Sequence, residues 1–194
     1  MSKNWKKDTA LFLSSQTISL FGTMLVQYAI MWYITMETQS GVMMTLSVVA
    51  GFLPTFFLAP FAGVWADRFD RKKLIIIADL SIAFTTLLAA VFFWMGINAI
   101  WILLAMSMIR AFGSAVQSPA VNAFIPQFVP EDKLMRVNGI NGSIQSIIML
   151  ASPMISGALM TFSPLTSIFM IDVATAILAV GVLLTLKVDR KSVV

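Results

Sequence analysis

Three ionisable residues stand inside otherwise apolar stretches and need a chemical account: Asp79, Arg110 and Asp172. Placing an arginine at the middle of a membrane helix costs about 2.5–3.5 kcal/mol on insertion scales, so such a residue faces a bundle interior or a wet cavity. Helical spacing puts Ser107, Ser114 and Gln117 on the same face as Arg110. A comparable polar stripe runs through Gln16, Ser19, Thr23 and Gln27, and a third through Asn138, Asn141, Gln145, Ser152 and Ser156. Two roles suit these stripes. They can edge a central polar cavity that binds a small amphiphile, or they can hold helices together at an average of about 0.6 kcal/mol per hydrogen bond. A permanent charge at Arg110 exceeds what helix adhesion needs. Asp79 and Asp172 also have two readings: buried carboxyls that load and release a proton, or braces that pair with a neighbouring helix or a loop arginine.

Other chemistries are excluded by composition. The chain of 194 residues has no cysteine and no histidine. Cysteine nucleophiles, Ser-His catalysis, imidazole or thiolate metal sites and His-ligated haem are therefore impossible. No enzymatic role, no metal, no cofactor other than a proton gradient and no nucleic-acid partner is expected.

The elements that must position these residues follow from the hydropathy pattern. Hydrophobic residues make up 59% of the chain and charged residues 11%. A soluble domain carries roughly 25% charge, so lipid is the expected outer solvent. Long apolar runs between charge clusters predict six helices at about 9–36, 41–66, 73–96, 99–121, 137–161 and 165–187. Each exceeds the roughly 20 residues that span a bilayer, and backbone groups in lipid must be satisfied within the segment. The expected fold class is an all-α, six-transmembrane-helix bundle. Of the 13 Lys and Arg, all but Arg110 fall on one side: Lys3, Lys6 and Lys7, then Arg68, Arg71, Lys72 and Lys73, then Lys133 and Arg136, then Lys187, Arg190 and Lys191. The positive-inside rule puts both termini in the cytoplasm of a multi-pass protein.

The chain also resembles itself. Phe21-Gly22-Thr23 recurs as Phe112-Gly113-Ser114, Ala59-Pro60 with Gly63 as Ser152-Pro153 with Gly157, and Asp79 as Asp172, at near-constant spacing. An odd number of spans per unit inverts the second copy, so residues 1–97 and 98–187 read as an inverted 3+3 repeat, a transporter feature. Residues 188–194 then begin a cytoplasmic loop. Between helices 2 and 3 lies Gly63-Val64-Trp65-Ala66-Asp67-Arg68-Phe69-Asp70-Arg71-Lys72-Lys73. Gly63 permits close helix approach, Asp70 can cap helix 3, and Asp67 sits at a helix C-terminus, where an anion needs a specific partner.

That loop resembles the signature of the major facilitator superfamily, Gly-x-x-x-Asp-Arg-x-x-Arg-Lys, with Asp70 where a glycine usually stands. Arg110 with Gly113 resembles the superfamily's span 4 arginine motif, and Ser152-Pro153-Met154-Ile155-Ser156-Gly157 is similar to its span 5 antiporter motif. Gly51-Phe52-Leu53-Pro54, Ala78-Asp79-Leu80, Pro119-Ala120 and Ile171-Asp172-Val173 resemble the macrolide-efflux branch of its drug/proton antiporters. The resemblance covers nearly the whole chain and implies the N-terminal half of a twelve-span protein in a bacterial-type plasma (inner) membrane. The implied activity is secondary active export of hydrophobic or amphiphilic drugs such as macrolides by proton antiport. By match, the gate loop falls to Gly63, Asp67, Arg68, Arg71 and Lys72, and the cavity to Arg110. Helix 1 lacks the acid that many such exporters carry, so no proton site is carried over. The implied partners are the lipid bilayer, a small amphiphilic substrate, and a C-terminal six-helix half or a second copy of the chain. A half-size subunit working as a homodimer, or the membrane domain of an ATP-driven exporter, is the alternative.

Overall fold

The computed structural model describes residues 5–186. Lys3, Lys187, Arg190, Lys191 and the loop expected at 188–194 lie outside them. Six helices follow one another: α1 (Trp5–Thr38), α2 (Gly41–Arg68), α3 (Arg71–Trp94), α4 (Ile100–Phe124), α5 (Glu131–Phe162) and α6 (Leu165–Thr185), with a 3-10 turn (Ile125–Gln127) after α4. All six are long and apolar enough to cross a membrane, and no strand occurs among the described residues. The protein is an all-α, multi-pass membrane protein.

Local chemistry explains the helix ends. Ser40 caps α2 by accepting from the Met43 N–H, and Asp70 caps α3 by accepting from Lys73 N–H at 3.2 Å. α3 stops at Gly96, whose φ of 80° suits a residue without Cβ. There the Ile97 N–H donates to Phe92 O at 2.9 Å and the Gly96 N–H to Phe93 O at 3.1 Å, the paired bonds of a Schellman stop. α5 starts at Glu131 rather than at the expected 137. Lys133 and Arg136 therefore ride on its first turns instead of in a loop. Glu131 and Asp132 favour the early start, because carboxylates stabilise the positive end of a helix.

The bundle has two apolar cores. One gathers Leu25, Ile30 and Ile34 of α1 with Ala90 of α3, Leu103 of α4 and Phe169 of α6. The other joins Phe12, Ala66, Ile75, Phe124, Phe128, Val137 and Leu183, with the rings of Phe12, Phe124 and Phe128 packed at centroid distances of 5.1–5.6 Å. This second core lies at the end of the bundle where α1, α3 and α5 begin and α2, α4 and α6 finish. The described basic loop residues gather at that same end. Asp79, Arg110 and Asp172 lie along their helices between the two cores.

Helix pairing has an internal regularity. The main partners are α2 with α4, α1 with α6, α3 with α4, α1 with α5, and α3 with α6. Exchanging α1 with α4, α2 with α5 and α3 with α6 leaves this set unchanged. The contacts repeat in detail. A Cβ on Gly22 of α1 would collide with Thr175 of α6, and one on Gly113 of α4 would lie 2.6 Å from Ile82 of α3. Thr175 and Ile82 each sit three residues after the aspartate of their helix. Both glycines thus leave room for the side chains of a neighbouring helix.

The chain's lack of cysteine makes its topology directly testable. Cysteines introduced at Asn98 or Ser163 should react with a membrane-impermeant maleimide on intact cells, and one at Lys133 only after permeabilisation. Labelling of Lys133→Cys from outside would overturn the orientation.

Candidate functional site

Arg110 is 2% exposed and lies in a junction of four helices. Its Nη1 donates to Asp172 Oδ2 of α6 at 2.5 Å and also to the Thr86 hydroxyl of α3. Its Nη2 donates to the Thr23 carbonyl of α1 at 3.1 Å. Asp172, 1% exposed, further accepts from Thr86 Oγ1 at 2.7 Å and from Thr23 Oγ1 at 3.5 Å. One ion pair with its hydrogen bonds therefore ties α1, α3, α4 and α6 together. Each charge neutralises the other, which is how ionised groups are tolerated in a low-dielectric interior. Thr86 completes the junction and was not marked out by the sequence. The available signal was its spacing two turns after Asp79, on the same helix face.

Asp79 forms a second, different cluster. Its Oδ1 accepts from Ser19 Oγ of α1 at 2.5 Å and from Gln117 Nε2 of α4 at 2.6 Å. Asp79 is 1% exposed, and Oδ2 has no hydrogen-bond partner among the described residues.

The stripe residues divide by location. Gln16, Ser19, Thr23, Ser107, Arg110 and Asn141 are buried; Gln27, Ser114 and Gln117 are partly buried; Gln145 is exposed on α5. Ser19, Thr23, Arg110 and Gln117 join the two carboxyl clusters. Asn141 and Gln145 take no part in either. Gln27 lies against α2, with Nε2 2.5 Å from the position a Gly51 Cβ would take. Buried polar atoms without a partner among the described residues include Gln16 Nε2, Ser107 Oγ and Ser152 Oγ. In the helix 5 motif, Ser156 Oγ donates to Leu25 O of α1 at 3.1 Å, and Trp32 Nε1 of α1 donates to Pro153 O at 3.4 Å. Gly157 lets the Trp32 ring pass at 3.4 Å from the Cβ position. That motif therefore joins α5 to α1.

The loop between α2 and α3 works partly as a set of helix caps. Arg71 Nε donates to the Ala66 carbonyl at 3.0 Å, satisfying the end of α2. Lys72 Nζ donates to Leu186 O at 2.6 Å and Leu184 O at 3.4 Å, closing the end of α6. These contacts explain why cations are tolerated in the first turn of α3: they serve the negative ends of two neighbouring helices. Asp67 finds its partner in Arg71 at 3.6 Å, with the Asp67 side chain 77% exposed. Arg68 is exposed. The expectation that Gly63 admits a neighbouring helix is not met within this chain: nothing lies within 4 Å of its Cβ position.

A six-helix membrane bundle is thus braced through a buried ion pair, with an Asp67-Arg68 pair ending α2 and an Arg71-Lys72 pair opening α3. A profile of the Major Facilitator Superfamily matches residues 11–193. The chain belongs to the major facilitator superfamily. It is 37% identical over 177 residues to "Macrolide efflux protein A" of Streptococcus pyogenes, an alignment covering 91% of this chain and 44% of that protein. It is 36% identical over 152 residues to "Macrolide efflux protein A" of Enterococcus faecalis, covering 78% and 46%. It is 25% identical over 158 residues to "Uncharacterized MFS-type transporter YvqJ" of Bacillus subtilis, covering 81% and 37%. The chain thus spans less than half the length of the curated relatives it matches.

Removing one partner of the buried pair leaves the other charge uncompensated, at a cost of about 3–5 kcal/mol. Asp172→Asn and Arg110→Met should each lower thermal stability in detergent markedly. The double variant Arg110→Met/Asp172→Leu should recover part of the loss. Additive losses in the double variant would show that the two side chains do not act as a pair.

Proposed function

We propose that this chain forms the N-terminal six-span part of a proton-driven drug exporter. Its substrates are hydrophobic or amphiphilic compounds of the macrolide type, and it works as a transporter, not an enzyme. The observation that carries this reading is the set of buried carboxyls and a permanent cation at the meeting point of four membrane helices, in a chain 37% identical to a macrolide efflux protein. Intramembrane ionisable groups are costly and are retained where a proton or substrate pathway needs them.

In this reading the chain comprises two three-helix units related by inversion, α1–α3 and α4–α6. The repeated glycine contacts and the exchange symmetry of the helix pairs support that division. Inverted units let one scaffold adopt inward-open and outward-open states of similar energy. Gln16, Ser19, Thr23, Gln27, Ser107, Arg110, Ser114, Gln117, Asn141 and Gln145 supply the polar lining and its support. A second six-helix half covers the gate loop at Gly63, Asp67 and Arg68, where this chain leaves open space or exposed charge. The protein sits in a bacterial plasma membrane with its basic loops in the cytoplasm. The proton gradient is its energy source, and the membrane potential adds about 2.3 kcal/mol per charge per 100 mV.

The test is macrolide accumulation in a susceptible bacterium expressing the complete transporter that contains this chain. Accumulation should fall on expression and recover when a protonophore collapses the gradient with ATP maintained. Continued export under that condition would overturn proton antiport in favour of an ATP-driven pump.

A further inference from the structure

The two buried aspartates occupy matching places, yet their surroundings differ in one decisive respect. Asp172 on α6 meets Arg110, which lies three residues before Gly113 on α4. Asp79 on α3 meets Ser19, which lies three residues before Gly22 on α1. Ser19 and Arg110 therefore hold the same position in their units and contact the corresponding carboxyl. In one unit the carboxyl is given a cation; in the other it is given a hydroxyl.

We infer that Asp79, held by Ser19 and Gln117, is the proton-carrying carboxyl of this transporter, and that Asp172 is a fixed charge locked to Arg110. The inference rests on the proton-antiport reading and assigns its site. Asp79 has the features a carrier needs. It is 1% exposed, its Oδ1 takes two donated hydrogen bonds, and its Oδ2 is left without a partner among the described residues. A proton can therefore bind at Oδ2 without displacing either donor. One O–H bond forms there and the carboxylate's charge is cancelled; on the other side of the membrane the same bond breaks and the charge returns.

The charged groups around it fit this division. α1 carries none between Thr9 and Met36, and α3 itself none from Leu74 to Trp94 other than Asp79. α4 carries only Arg110, and α6 only Asp172. Since Arg110 is committed to Asp172 at 2.5 Å, it leaves Asp79 without a bonded cation. The change in charge at Asp79 falls where α1, α3 and α4 meet, so protonation alters the attraction between both units.

The test uses the complete transporter in vesicles with an imposed pH gradient in sodium-free buffer. Wild type should accumulate a macrolide against its gradient. Asp79→Asn should lose this accumulation, down to the level of empty vesicles, while still exchanging preloaded for external macrolide without a gradient. Gradient-driven accumulation by Asp79→Asn at the wild-type level would overturn the site and leave proton antiport standing. Wild type that accumulates only on adding sodium or ATP would overturn both. A second measurement needs no variant. An apolar carbodiimide, which attacks protonated carboxyls, should modify Asp79 of wild type during turnover, more at low pH than at high pH, and spare Asp172. Modification of Asp172 in preference to Asp79 would reverse the assignment.

Discussion

The ion pair between Arg110 and Asp172 is the constraint on which the bundle depends. This guanidinium between two apolar cores has its charge met and both terminal nitrogens donating, while its Nε has no partner among the described residues. Meeting it takes a carboxylate from α6, a hydroxyl from α3 and a backbone carbonyl from α1. The carboxylate cannot move away without stranding a charge, and the other two cannot without losing a hydrogen bond to the guanidinium. The glycines make the geometry attainable. Gly22 brings α1 against α6 at Asp172 and Thr175, and Gly113 brings α4 against Ile82 and Ser81 of α3. Small residues at crossings and one costly charge at their centre together fix how four helices meet.

Around that centre the molecule keeps its other polar work at the helix ends. Arg71 and Lys72 sit at an unfavourable helix N-terminus but donate to the carbonyl ends of α2 and α6. The loop is thereby anchored to the ends of α2 and α6, where the basic residues gather. Asp67 and Arg68, one turn away, stay exposed. In the proposed transporter, a loop half bound and half exposed would hold one side of a gate.

Much of this was legible from residues alone. Charge clusters and apolar runs marked all six helices, since lipid tolerates few alternatives to a continuous helix. The cap at Asp70 marked the start of α3. The start of α5 was misread, because Lys133 and Arg136 looked like a loop while the acids at 131 and 132 were already opening the helix. At the site, Arg110, Asp79 and Asp172 stood out by cost, but their pairing did not. Helix spacing shows which residues share a face; it does not show which face meets which neighbour. Thr86 escaped notice for that reason, since a threonine in an apolar helix acquires meaning only when α4 and α6 bring a charge to it. Gly63 went the other way: a residue read as a helix contact has open space beside it in this chain.

In the proposed transporter the two buried acids do different work, Asp172 locked to Arg110 and Asp79 free to take a proton. The most direct measurement is the protonated-carboxyl stretch in infrared spectra of the purified complete transporter, followed across pH. Wild type should show a band that disappears as pH rises, Asp79→Asn should lack it, and Arg110→Lys, which keeps a cation beside Asp172, should retain it. A band that persists unchanged in Asp79→Asn would contradict the account.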